Sequence, residues 1–425
     1  MKKATVTREA FDSPATPVIS ILVGIDWADK EHAFCVRTPD GKLHSGFFRH
    51  SPKDIAEWVQ EWIKRFPNLS IDVCIESSRG ALINALREFS CVNIYPVNPK
   101  ALANYRAAFA HGGGKNDPVD ARLILKFIEQ NREHLTPLQR DSAETTELYK
   151  LTTVRRQLVE ERVALANRIG ALWKDYFPAI LELKPSRTYS EFVIALVLKY
   201  PTLEKIQQAG KVKLRKFFFG IGTKEKMEER LDILIKAIPI TTDTVLIRTC
   251  ARQCQAIASQ ISLLNEVIKG YDEEIKRLVQ LHKDYKIVAD LPGTSYNTRA
   301  RLIASLGDDR SRYENTEALQ AAAGIAPITT QSGKSRYVNA RWACTKYMKQ
   351  TFHEFAGLSL MKCNWAKRYY EQMIAKGKSK QMARRALAYK WLRIIYRCWQ
   401  THTAYNETLY VERLKKTGSQ FAAGN

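Results

Sequence analysis

Two apolar runs in the first third of the chain each end at an acidic residue, and this constrains both the fold and the chemistry. Ile21–Asp26 reads ILVGID, and Ile71–Glu76 reads IDVCIE. Both runs are typical of buried strands. A carboxylate at the end of a buried strand is costly unless a cation or hydrogen bonds compensate it. We therefore expect Asp26 on a central strand and Glu76 on its neighbour, close to a cation.

Two further acids, Asp117 and Asp120, lie where a helical pattern begins with proline in its first turn. Their spacing of three places both on one helical face. Several carboxylates at one place suit a hard cation such as Mg²⁺. Two such ions about 4 Å apart promote in-line displacement at a phosphodiester. The alternatives are a helix cap at Asp117 and a surface acid at Glu76.

The chain of 425 residues carries a net charge of +23, which predicts a polyanionic partner. From residue 331 onward there are 19 Lys and Arg against 4 Asp and Glu. Aromatic residues are interleaved with these cations, and rings stack on bases while cations hold phosphates. The alternative is a basic helical surface over an aromatic core. The aromatic residues concerned are Tyr337, Trp342, Tyr347, Trp365, Tyr369, Tyr370, Trp391, Tyr396 and Trp399.

Strand and helix patterns alternate over residues 18–140, after a tail at 1–17. The runs His32–Arg37 and Leu43–Phe48, joined at Asp40-Gly41, predict a hairpin. With the later strand–helix alternation, this predicts a mixed sheet flanked by helices, as in the ribonuclease H-like fold. The segment His111–Lys115 reads as a mobile glycine-rich loop. The eight cysteines show no metal-binding spacing and are expected to be free thiols.

Residues 141–285 carry long heptad patterns, interrupted by a small helical insertion at 185–241. Leucine recurs every seventh residue from Leu151 to Leu172, and a second heptad stretch runs from Ile247 to Leu278. We expect coiled-coil self-association into a dimer or tetramer. Two long helices packed within one chain would give the same pattern.

Residues 286–403 are expected to form a helical C-terminal domain, followed by a tail at 404–425. Leu291-Pro-Gly resembles half of a helix-hairpin-helix, in which a turn presents backbone N–H groups to phosphate. Residues 325–335 read as a loop containing Ser332, a candidate nucleophile. The alternative is a plain polar turn, and the residues alone do not separate Ser332 from Ser335. The nearby cations that could contact nucleic acid are Lys334, Arg336, Arg341 and Lys346.

The motifs occur in an order that resembles a known family. Gly24-Ile-Asp-Trp-Ala, Ile75-Glu-Ser-Ser, Lys115-Asn-Asp-Pro-Val-Asp-Ala, Leu291-Pro-Gly and Gly324-Ile-Ala-Pro with Gln331-Ser-Gly follow one another along the chain. In this respect the chain resembles the DEDD-type insertion-sequence transposases of the one-ten family, the bridge-RNA-guided recombinases. The resemblance extends from about Ile21 to Gln400. The chain departs from the family pattern at two points. The segment between its two halves is long, and the serine motif is followed by Lys-Ser.

The resemblance implies a RuvC-like N-terminal domain that binds Mg²⁺ through Asp26, Glu76, Asp117 and Asp120, where the carboxylate chemistry predicts two ions per site. It also implies a coiled-coil region and a C-terminal transposase domain whose serine nucleophile maps best to Ser332. The implied partners are donor DNA, target DNA and a structured guide RNA. Since no run approaches the roughly 20 apolar residues of a membrane span, we expect a cytoplasmic protein that joins the prokaryotic nucleoid during action.

The resulting hypothesis is an RNA-guided DNA recombinase that forms a phosphoserine–DNA intermediate. The helical segment between Asp120 and Ser332 further suggests that carboxylates and serine come from different protomers. The main alternative is a RuvC-like junction resolvase that hydrolyses DNA with water. A sugar-kinase-like ATPase and a non-enzymatic RNA-binding scaffold are weaker alternatives, because phosphate loops are missing from the pattern and the acid set is intact.

Overall fold

The computed structural model describes residues 19–66, 68–109, 117–138, 140–183, 188–222, 226–333, 335–341 and 344–418. The expected N-terminal tail and the glycine-rich segment His111–Lys115 lie outside these ranges. The chain divides into two compact units, residues 1–140 and 141–425, and each is considered by itself.

The N-terminal unit is built on a five-stranded mixed sheet in the order β3-β2-β1-β4-β5. Strands β1, β2 and β3 pair antiparallel, whereas β1, β4 and β5 pair parallel. This confirms the expected mixed sheet flanked by helices. The strands are β1 (Ile19–Asp26), β2 (Glu31–Arg37), β3 (Leu43–Arg49), β4 (Leu69–Ile75) and β5 (Val92–Pro96). The helices are α1 (Pro52–Arg65), α2 (Ala81–Arg87), α3 (Pro99–Phe109) and α4 (Asp117–Asn131).

The two faces of this sheet have separate cores. Ile25 and Ile75 belong to the core that includes residues of α1 and α2, while Cys35 and Cys74 belong to the core that includes α4. Gly24 faces α4, and a Cβ at this position would overlap the backbone of α4 at Ala121 and Leu125. Glycine at position 24 therefore allows α4 to lie directly on β1.

The C-terminal unit is mainly helical. Its helices are α5 (Ala143–Tyr176), α6 (Ala179–Glu182), α7 (Glu191–Lys199), α8 (Leu203–Gly220), α9 (Met227–Lys236), α10 (Thr244–Leu281), α11 (Tyr285–Ala289), α12 (Tyr296–Leu306), α13 (Thr316–Ala322), α14 (Lys346–Ser359), α15 (Asn364–Ala375), α16 (Lys380–Gln400) and α17 (Glu407–Lys416). No helix in the described part of the chain has the length and apolar character needed to cross a membrane.

The two heptad helices, α5 and α10, pack against each other within the chain. Arg155 pairs with Asp272 at 2.6 Å, and Arg162 donates a hydrogen bond to Asn265 at 2.9 Å, so the helices run antiparallel. The apolar positions of α10 from Cys250 to Ile275 contribute to cores of the same chain. The heptad pattern thus has an intramolecular explanation, and self-association stays a prediction.

Two hydrophobic cores lie along this helix pair. One joins Trp173 of α5 and Ile257 of α10 to the small helices α6–α9. The other joins the opposite ends of α5 and α10 to α11–α16. Trp365, Trp391 and Trp399 are buried in the second core, so the expectation that these rings stack on bases is wrong and the aromatic-core alternative holds for them.

The segment expected as a C-terminal tail contains α17 and a buried tyrosine. Tyr405 accepts a hydrogen bond from Trp365 Nε1 at 3.0 Å, and Tyr410 packs beside Trp365 with ring centroids 4.9 Å apart. Part of this segment therefore belongs to the core that also contains α15 and α16.

The expected loop at 325–335 is wrong in its second half, which contributes to an antiparallel hairpin. Strand β6 (Ile328–Ser332) pairs with β7 (Ser335–Asn339), and all of β6 is exposed. Both faces of β6 are thus solvated. An apolar–polar alternation, which identifies a half-buried strand in a sequence, is therefore missing.

Candidate active site

Asp26 and Glu76 lie at the same edge of the N-terminal sheet. Strands β1 and β4 are parallel, with Ile25 opposite Ile75, so the next residue on each chain is one of the two acids. Alternation along the strands places Asp26 on the face of Gly24 and Glu76 on the face of Cys74. This is the face that α4 covers. Both acids therefore end neighbouring strands on the side of α4.

The other two acids lie in the first turn of α4. Asp117 is exposed, whereas the side chain of Asp120 is buried, with 7% of the residue accessible. Pro118 occupies the first turn, where its missing N–H costs no hydrogen bond. Because Gly24 allows α4 to approach β1, the first turn of the helix lies beside the end of that strand.

The four carboxylates interact electrostatically. The pKa of Asp26 is raised to about 6, first by burial and then by the charges of Asp120, Asp117 and Glu76. A like charge nearby disfavours ionisation, and each of the three acids acts in this direction. The structure therefore brings Glu76, Asp117 and Asp120 within electrostatic range of Asp26.

A cation from α3, Arg106, is part of this group although the sequence did not single it out. Its Nη2 lies 2.6 Å from Asp120 Oδ1, and its charge opposes the upward shift of the Asp26 pKa. A single arginine in a helical stretch belongs to no motif that would predict such a role. The only available signal was its position shortly before the acidic motif.

The acids fit a divalent metal in donor type but not in their present arrangement. All four offer the oxygen ligands that Mg²⁺ prefers. In the described part of the chain, which includes all four, no three acidic, His or Cys side chains lie close enough together to hold an ion. Metal binding therefore requires the carboxylates to turn toward one another and Asp120 to share its oxygen with Arg106 or release it.

Ser332 lies in the C-terminal unit, at the turn of the β6–β7 hairpin. It is the last residue of β6 and pairs with Ser335, the first residue of β7. Gly333 follows with φ of 54°, a left-handed conformation that favours glycine. Both serines are exposed. The hairpin thus presents two hydroxyl groups at one turn, as open to solvent as a nucleophile requires.

The structure describes some of the predicted cations near Ser332 more fully than others. Arg341 is half-buried and its carbonyl accepts a hydrogen bond from Lys349 Nζ at 3.1 Å, whereas Lys346 is exposed at the start of α14. Lys334 lies outside the described residues, and Arg336 is described only as a position on β7.

Two models of known protein families match this chain. A model described as a transposase, of the DEDD IS110 type, matches residues 23–178. A second model, described as the transposase IS116/IS110/IS902 family, matches residues 285–371. The chain belongs to this transposase family. As a member of the family it is a DNA-transposition enzyme, and DEDD-type domains generally depend on divalent metal ions.

Several curated proteins of insertion elements are similar over most of the chain. The mini-circle putative transposase for IS117 of Streptomyces coelicolor is 25% identical over 92% of this chain and 96% of its own length. An uncharacterized 43.6 kDa protein of insertion element IS110, from the same organism, is 24% identical over 93% and 97%. An uncharacterized 42 kDa protein of insertion element IS900 from Mycobacterium paratuberculosis is 23% identical over 72% and 77%.

Proposed function

We propose that this transposase is an RNA-guided DNA recombinase that exchanges strands through a phosphoserine–DNA intermediate. Its N-terminal unit is a ribonuclease H-like, RuvC-like domain, and Ser332 is the nucleophile of the C-terminal unit. The observation that carries the proposal is the electrostatic interaction of Asp26 with Glu76, Asp117 and Asp120 at one sheet edge. Burial and three neighbouring acids disfavour the Asp26 carboxylate, and a bound cation would offset that cost.

The four acids would hold Mg²⁺, in one or two ions. The bound metal would supply positive charge to the scissile phosphate and to the oxygen that leaves it. The protein's own contribution is to keep the oxygens at one edge. Parallel pairing of β1 and β4 fixes Asp26 beside Glu76, and the contact of Gly24 with α4 fixes Asp117 and Asp120.

The serine step conserves the phosphodiester bond energy. Ser332 Oγ loses its proton and bonds to phosphorus, while the bond from phosphorus to one deoxyribose oxygen breaks and that oxygen leaves as a hydroxyl. In the reverse step, a hydroxyl of the exchanged strand attacks the phosphoserine and restores Ser332. Because the two steps mirror each other, strands are exchanged without net hydrolysis.

Two nucleic acids are the proposed partners. The excess of positive charge over the last 95 residues suits DNA and a structured guide RNA that pairs with donor and target. Two cations near the hairpin are candidate phosphate contacts. Lys346 is exposed, and Arg336 lies on β7. A dimer or tetramer is also proposed, on the basis of the family resemblance.

One specific observation favours a second candidate, a RuvC-like resolvase that hydrolyses DNA with water. The acid group is complete in the N-terminal unit, and metal-dependent hydrolysis needs no serine. The two functions differ in whether DNA becomes covalently attached to the protein.

Trapping of covalent DNA–protein adducts tests the proposal. End-labelled substrate DNA is incubated with the protein and its RNA, quenched in detergent and resolved by denaturing electrophoresis. We expect an adduct with the native chain and with Ser335→Ala, and no adduct with Ser332→Ala. Ser335→Ala is a matched control, because it removes a hydroxyl from the residue opposite Ser332 on the same hairpin. Cleavage without an adduct in the native chain would favour the resolvase.

The RNA that co-purifies with the chain tests the guided part of the proposal. We expect one discrete structured species, which sequencing identifies. A random mixture of cellular fragments would contradict RNA guidance and leave the serine chemistry to be judged by the adduct.

A further inference from the structure

A cavity of about 240 Å³ opens at the same sheet edge as the acids, on the face covered by α1 and α2. Its lining begins one residue beyond each strand-end acid, at Trp27 after Asp26 and at Ser77 after Glu76. Its floor includes Ile75, Leu82 and Ile83, which belong to the core on this face. The cavity and the acids are therefore neighbours across the end of the sheet.

The walls of the cavity combine a flat ring with polar groups. Trp27 is 46% exposed, while every other tryptophan that the structure describes is buried. An indole left in solvent costs free energy, and here it borders an apolar floor. Arg79 supplies a cation on the opposite loop. A ring, an apolar floor and a cation are the elements that bind an unpaired nucleotide.

A pair of histidines supplies a defined hydrogen-bond donor. The buried His32 Nδ1 accepts the backbone N–H of Ala28 at 3.1 Å, so its proton lies on Nε2. That nitrogen is 2.8 Å from His50 Nδ1, which therefore accepts. Because Nδ1 of His50 accepts, the ring proton of His50 lies on Nε2. His50 lines the cavity, and its N–H suits an acceptor atom on the edge of a base.

We propose that this cavity binds one unpaired nucleobase of the strand whose phosphate would be held at the four acids through a divalent cation, with the base stacked on Trp27 and the edge of the base recognised by His50. The inference rests on the proposed function, because it places the strand at Asp26 and Glu76. It assigns Trp27, His50 and Arg79 to substrate positioning, which is distinct from the phosphoryl-transfer chemistry.

The size of the cavity limits the occupant. Pockets for whole small-molecule ligands measure roughly 300 to 1,000 Å³. At about 240 Å³, this cavity suits a planar base whose sugar and phosphate remain outside. A base inside a duplex is stacked and paired, so the occupant must be extruded or already single-stranded. A strand cleaved at the acids with one such base would be held in a fixed register.

The test uses 2-aminopurine, a fluorescent base whose emission is quenched by stacking. It is placed at successive positions of a short single-stranded DNA, and binding to the full chain is measured with Ca²⁺ in place of Mg²⁺, while denaturing electrophoresis checks that the DNA stays intact. We expect one position to be quenched by the native chain and by Trp27→Phe, and to lose quenching in Trp27→Ala. Affinity for this DNA should fall roughly tenfold in Trp27→Ala, as expected for one stacked base.

An abasic site at the quenched position provides the second arm. The native chain should lose roughly tenfold in affinity for the abasic DNA, whereas Trp27→Ala should bind both DNAs equally. Equal binding of both DNAs by the native chain would overturn the proposal. So would quenching that persists in Trp27→Ala. Because the assay does not require cleavage, its outcome is independent of the adduct test for Ser332.

Discussion

Arg106 Nη2 lies 2.6 Å from Asp120 Oδ1, so the most buried of the four acids is already paired with a cation from α3. The arginine lowers the electrostatic cost of gathering the acids. It also competes for an oxygen that a metal would use. The Arg106–Asp120 ion pair thus stabilises the metal-free site and at the same time lowers its affinity for a metal.

Removing this competitor should strengthen metal binding. We expect Arg106→Gln to bind Mg²⁺ or Mn²⁺ roughly fivefold more tightly, equivalent to about 1 kcal/mol for a partly exposed ion pair. Titration calorimetry of the full chain measures the change. Arg122→Gln is the control, because Arg122 is exposed on α4, the helix that carries Asp120. Equal gains in both variants would indicate a general charge effect rather than competition at Asp120.

The contact between Gly24 and α4 predicts a large cost for a single methyl group. Ordinary overpacking costs about 1 to 3 kcal/mol, and backbone rather than a side chain blocks the site here. We expect Gly24→Ala to lower the free energy of unfolding by at least about 3 kcal/mol, which a lower midpoint of thermal unfolding would show. We also expect it to lower the affinity for metal. Gly170→Ala, in α5 with open space around its position, should instead gain up to about 1 kcal/mol. A harmless Gly24→Ala would show that α4 does not require this approach.

Burial of His32 predicts a dependence of stability on pH. The pKa of His32 is lowered to about 4, first by burial and then by the charge of His50. Between pH 6.5 and 4 the unfolded chain binds a proton that the folded protein does not. The free energy of unfolding therefore falls as pH drops through this window, by up to about 3 kcal/mol, and the full value is present above it.

Replacing His32 tests this linkage. Thermal unfolding at pH 7.5, 6, 5 and 4.5 should show a shallower pH dependence in His32→Gln than in the native chain. His134→Gln, which changes an exposed histidine of the same unit, should leave the slope unchanged. An unaltered slope in His32→Gln would assign the dependence to other groups.

Gly333 sets the turn that follows Ser332. A β-branched residue resists φ of 54°, at a cost of roughly 1 to 2 kcal/mol, whereas asparagine tolerates it. We expect Gly333→Val to reduce adduct formation at least tenfold with little change in the unfolding midpoint. Gly333→Asn should retain most activity. Full activity of the valine variant would mean that the turn does not position the serine.

The sheet could be predicted because each central strand has a clear pattern in its own short stretch of sequence. ILVGID and IDVCIE are apolar, end at acids and are separated by helical patterns, so strand identity and the position of Asp26 and Glu76 followed from the sequence. The role of Arg106 could not be predicted. It depends on how α3 and α4 approach each other, and no local pattern encodes that distance.

The C-terminal unit shows what local patterns leave open. Heptads require an apolar partner surface for α10 but do not say whether it belongs to the same chain, and here α5 provides it. Trp391 lies in a basic, aromatic stretch, yet helical geometry turns its ring into the core. The β6–β7 hairpin buries neither face of β6, so the usual strand signal was missing around Ser332.

Helix α10 is continuous over 38 residues and contributes to both cores of the C-terminal unit. Its first half packs in the core with the small helices α6–α9, and its second half packs in the core with α11–α16. Neither core can therefore be disrupted without exposing apolar positions of this one helix, so the two parts of the unit share a single structural support.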